Sequence, residues 1–146
     1  MVMEFIGKRR FGISIEERLA IDLDLLATRL GTTRSSLVER AIEEYVHDRL
    51  HIITPHDCEG ILLVKHSAKL AGKVSNVIEG YTDIALMGLH FHTGDGTCVR
   101  MLHLKGNSTR ITEFERRLRE IGVDMTRYIV IRTPQKDQEE NLSIAP

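Results

Sequence analysis

From Lys8 to Ile15 the chain reads KRRFGISI, and Phe11, Ile13 and Ile15 alternate with Arg10, Gly12 and Ser14. A period of two belongs to a strand with one buried face, so the pattern predicts a short strand. The period then lengthens. Leu19, Leu23, Leu26 and Leu30 recur at helical spacing, with Glu16 and Glu17 in the first turn and Gly31 as the stop. After GTTRSS a second helix is predicted, with Leu37, Ala41, Ile42, Tyr45 and Val46 on one face. A lone strand leaves both edges unpaired, so this strand, helix, helix unit is expected to pair with a second copy of itself as a homodimer.

HIITPHDCEG, residues 51–60, breaks both periods with a proline and a glycine and is expected to be a linker. Beyond it GILLVKH reads as a strand, SAKLAGKVSNVIEGY as a helix, DIALMGLHFH and CVRMLHLKG as strands, STRITEFERRLREIG as a helix and DMTRYIVIRT as a strand. The order βαββαβ predicts a ferredoxin-like sheet with helices on one face. The fold class is therefore α+β. The expected division is 1–50 for the strand and two helices, 51–60 for the linker, 61–134 for the ferredoxin-like domain and 135–146 for a polar tail.

Composition narrows the setting. With 42% hydrophobic and 28% charged residues, and no apolar run near the roughly 20 residues of a membrane span, the chain is expected to have no membrane partner. Glu4 lies within MVMEFIGKRR, ahead of its basic cluster, which is unlike a secretory leader and leads to an expected cytoplasmic location. In that compartment Cys58 and Cys98 serve better as ligands than as a disulfide. A net charge of −1 gives no global attraction to nucleic acid, so any DNA contact must come from a local basic patch.

The candidate chemistry lies in LHFHTGDGTCV. His90 and His92 are two apart and share a strand face, and a hairpin about Asp95 brings Cys98 opposite His92. Two imidazoles and a thiolate suit nickel, zinc, copper or cobalt and do not suit magnesium or calcium. His103 has the opposite parity to Cys98 and is expected to face the helices. His56 and Cys58 form a weaker ligand pair in the linker.

Residues 8–50 resemble the ribbon-helix-helix DNA-binding proteins, with GTTRSSLVERAIEEYV matching the family's second helix. The resemblance implies that paired strands enter the major groove, with Arg10, Gly12 and Ser14 facing the bases. A capping box at Ser14-Ile15-Glu16-Glu17 is an equal reading of Ser14. Arg34 and Ser35 open the second helix, a phosphate site or a simple cap, and Lys8 belongs to a basic arm.

With the βαββαβ domain behind it, the chain resembles the nickel-responsive transcriptional regulators (NikR), on Leu89-His90-x-His92, Cys98 and Leu104-Lys105-Gly106. That resemblance implies an ACT-like regulatory domain, a homotetramer, an operator as partner, a repressor role, and nickel held by His90, His92, Cys98 and a donor from another subunit. The matching fourth position is Glu79, where relatives have histidine, and Arg100 stands where relatives tend to have an acid. Those departures leave zinc or cobalt as alternatives. They also suggest an interface ion pair between Glu79 of one subunit and Arg100 of another. Two further readings are a sensor of a small organic ligand and, ranked last, a zinc metalloenzyme.

Overall fold

The computed structural model describes residues 7–132, which divide into two compact units at Glu43 and Glu44. In the first, residues 8–16 carry no regular secondary structure. The expected strand is not formed in the single chain, because a strand closes its backbone hydrogen bonds only against a second strand. Helix α1 spans Glu17–Arg29 and α2 spans Arg34–His47. Gly31, at φ 62°, ends the first helical segment in the left-handed conformation that glycine adopts without steric cost. The side chain of Thr33 accepts from the amide of Ser36 at 3.1 Å and so caps the start of α2.

A short helix, α3, covers Leu50–Ile53, and strand β1 runs over Asp57–Ser67. The predicted linker over 51–60 is thus corrected at both ends: it contains most of a helical turn and the first four residues of a strand. Gly60 acts as part of that strand and not as a breaker. It sits at a register shift against the last strand, where an added Cβ would lie 2.5 Å from the carbonyl oxygen of Ile129.

The remaining elements follow in the predicted order: α4 (Ala71–Glu79), β2 (Ala85–His92), β3 (Thr97–Asn107), α5 (Ser108–Glu120) and β4 (Met125–Arg132). The sheet order is β2-β3-β1-β4, all neighbours antiparallel. This is the ferredoxin-like arrangement. Ile111, Phe114 and Leu118 lie on one face of α5 and are fully buried, as are Leu62, Val64 and Leu104 of the sheet and Val74 of α4. Asn107 caps α5 by accepting from the amide of Thr109 at 2.9 Å.

The even-numbered residues of β1 and β3 form the core face. The opposite sheet face is apolar and open: Leu89, Phe91, Met101, Ile129 and Ile131 are exposed there. His103 belongs to that open face, its Nε2 donating to the Glu59 carboxylate at 2.7 Å. It does not face the helices as expected, because Cys98 and the core leucines share one parity and His103 has the other.

Candidate metal centre

The β2–β3 hairpin is fixed by its turn. Asp95 accepts hydrogen bonds from the Thr93 hydroxyl and, at 3.1 Å, from the amide of Thr97. These bonds hold its carboxyl well below the usual range, at about 2. Gly96 adopts φ 79°, and its carbonyl accepts from the amide of Ala68 at 3.0 Å, tying the turn to the end of β1. The resulting register puts three side chains in one row across three strands. His92 of β2 lies opposite Cys98 of β3, and His66 of β1 lies opposite Cys98 on the other side.

Cys98 and His66 are fully buried, while His90 and His92 are exposed. The Cys98 sulfur is 3.2 Å from Nδ1 of His92. The ring centroids of His90 and His92 are 4.8 Å apart, and those of His66 and His90 6.1 Å. One donor atom each from His66, His90 and Cys98 falls within a 4.8 Å sphere of mutual separation. Donors on one four-coordinate ion stand roughly 3–4 Å apart, so small side-chain rotations close this group around a metal. Nitrogen and sulfur donors of this kind fit a borderline or soft divalent cation. Desolvation, followed by electrostatic interaction with Arg100, His92 and His66, pushes the His90 imidazole below its ordinary pKa, which favours the neutral, metal-binding form.

Of the three residues singled out in the sequence, His90 and Cys98 belong to this donor group, while His92 stands beside it, against the Cys98 sulfur and the His90 ring. Glu79, expected as a donor to the site of another subunit, lies exposed at the end of α4. Within its own chain Arg100 has other partners. Its Nε donates to Nε2 of His66 at 3.3 Å, and its Nη2 donates to the carbonyl of Ala71 at 3.2 Å and the Ser75 hydroxyl at 2.9 Å. The cation that the sequence left without a partner beside the ligands is thus engaged at the start of α4.

His66 was missed by sequence reasoning. Its signal was parity: Leu62, Val64 and His66 all point inward, but the unbroken run ILLV hides the alternation. The linker pair His56 and Cys58 does not converge. Cys58 points into the core, 3.2 Å from the Tyr128 hydroxyl, and burial pushes both its thiol and that phenol above their ordinary values.

In the first unit, Arg10, Gly12 and Ser14 are exposed. The N-cap of α1 is Glu16, without a side-chain capping bond, so Ser14 does not form the alternative capping box. Arg34 makes a two-point ion pair with Asp24, its Nε 2.6 Å from Oδ1, and Lys8 pairs with Glu39 at 3.1 Å. Ser35 lies exposed in the first turn of α2, two residues after the cap supplied by Thr33.

Residues 7–48 match the ribbon-helix-helix domain family, and residues 61–131 match the NikR C terminal nickel binding domain. The chain thus carries, in order, a region similar to ribbon-helix-helix domains and a region similar to the NikR C terminal domain. A Methanocaldococcus jannaschii protein named among nickel-responsive regulators is 27% identical over 114 residues, covering 75% of this chain and 81% of the relative. A Bradyrhizobium diazoefficiens protein of the same designation is 27% identical over 131 residues, covering 86% and 88%. A second M. jannaschii relative, described as an uncharacterized transcriptional regulator, is 27% identical over 113 residues, covering 77% and 88%. Two of these relatives are named for nickel response and the third for transcriptional regulation, and ribbon-helix-helix domains bind DNA. Among the described residues no helix is long and apolar enough to cross a membrane.

Proposed function

We propose that the chain is a cytoplasmic, metal-responsive repressor in which a divalent cation, nickel in the first instance and zinc or cobalt otherwise, is held by His90, His92 and Cys98. The observation that carries this reading is the convergence of imidazoles on one buried sulfur. A bound cation would supply a fixed local charge that ties β2 and β3 together. Residues 8–15 pair with those of a second chain, presenting Arg10, Gly12 and Ser14 to the major groove of an operator. The exposed apolar sheet face carries Leu89, Phe91 and Met101 into a tetramer. Metal alters DNA affinity only by favouring one arrangement of the assembly over another.

An anaerobic titration of reduced protein with nickel, cobalt and zinc, followed by thiolate charge-transfer absorption and DNA mobility shift, tests the reading. One metal per chain and tighter DNA binding are expected. DNA binding that ignores every one of these ions overturns it. The alternative of a small organic effector draws on a cavity of about 300 Å³ beside the cluster, lined by Ile78, Leu86, His90, Arg100 and Leu102 among others. A carboxylate that alters DNA affinity without any metal would favour it.

A further inference from the structure

We propose that His66 is a metal ligand supplied by the same chain as His90, His92 and Cys98, and that Arg100 competes with the metal for its ligating nitrogen. The inference rests on the metal-binding reading above. His66 lies directly across from Cys98, and its donor atom belongs to the same tight group as those of His90 and Cys98.

Its chemistry is already prepared. Nδ1 is 2.8 Å from the carbonyl oxygen of Ser67, which can only accept, so Nδ1 carries the proton. Nε2 then bears the lone pair, consistent with its accepting from Arg100. A ring-nitrogen proton held by a backbone carbonyl is the usual way a metal-binding histidine is fixed in its tautomer and orientation. Full burial of the ring adds a restraint that the exposed Glu79 lacks.

A guanidinium and a metal cation cannot share the same lone pair. Binding at Nε2 must therefore break the Arg100–His66 bond and leave the guanidinium on Ala71 and Ser75, or move it away from the new charge. Two consequences follow. The ligand set closes within one subunit, so occupancy does not depend on a neighbouring chain. Arg100 also acts as a competitor that sets the metal threshold, and its shift is felt first at α4.

The test begins with the unmodified full chain. Long-range nitrogen–proton NMR of histidine-labelled protein is recorded without and with zinc. His66, His90 and His92 are all expected to shift their Nε2 or Nδ1 resonances to the metal-bound range. A His66 pattern unchanged while His90 and His92 move overturns the present inference alone. No change at any histidine overturns it together with the metal reading. In a parallel zinc competition assay, Arg100→Gln is expected to tighten binding, His66→Gln to weaken it by about tenfold or more, and Glu79→Gln to leave it unchanged. If Glu79→Gln abolishes binding while Arg100→Gln has no effect, the site is completed by another subunit and the inference is wrong.

Discussion

The two units of this chain solve the burial problem differently. Among the described residues before Glu44, only Ala27 and Leu37 are buried, while Phe11, Ile13, Leu19, Leu25 and Leu26 lie exposed. The second unit encloses Phe114, Ile111, Leu118, Leu62 and Leu104 completely. Both units are amphipathic by sequence. The difference is that a four-stranded sheet with helices on one face can close a core alone, whereas a segment of strand and two helices has nothing to pack its second side against. Apolar exposure in the first unit thus marks an unfinished module, and in the second it marks a finished module with a further contact surface.

Breaking the self-sufficient side should have the largest effect. Phe114→Ala removes a ring that stacks on Tyr81 at 4.7 Å and is expected to cost about 3–5 kcal/mol, measured by denaturant unfolding of the full chain. Phe11→Ala should leave that unfolding transition in place and instead abolish dimerisation and DNA binding, read by sedimentation and mobility shift. If Phe11→Ala unfolds the second unit, the contrast drawn here fails. Arg10→Ala is expected to cost about 1–3 kcal/mol of discrimination between operator and scrambled DNA, with assembly unaffected. Phe91→Lys on the open sheet face should lower the oligomeric state without changing the fold, judged by light scattering and circular dichroism.

The smallest effect concerns the hairpin. The Asp95 carboxyl is held at about 2 in the folded protein, below its ordinary value of 3.8. A depressed carboxyl stabilises the folded turn above the unfolded value, and that contribution disappears as pH falls through the folded one. The Thr97 amide resonance should therefore titrate near pH 2, and Asp95→Asn should erase the transition.

Much of this was legible along the chain. The helices and strands from α4 to β4 declare themselves because their periodicities are local and their turns carry glycine or a capping side chain, as at Gly96 and Asn107. Two-residue spacing and one tight turn were enough to join His90, His92 and Cys98. What escaped was non-local. The start of β1 was obscured because Pro55 and Gly60 look like breakers until β4 pairs alongside and demands a residue without a side chain. His66 reaches Cys98 only through a register set across 31 intervening residues. The face of the sheet that carries the ligands was also misjudged, which sent His103 to the wrong side. The strand expected over residues 8–15 is a different case: its pattern is plain, but a single chain offers no second strand to accept and donate its hydrogen bonds.

β2 is the outermost strand on its side, so half of its peptide groups have no neighbour within the sheet. It carries two of the imidazoles, while the sulfur and the third ring stand on the two strands inside it. An ion shared among them would act as a rivet through the sheet's margin, and fraying there would become conditional on occupancy. Amide exchange along residues 85–92 should then slow as the cation is taken up, giving the assembly a firm border in one state and a loose one in the other.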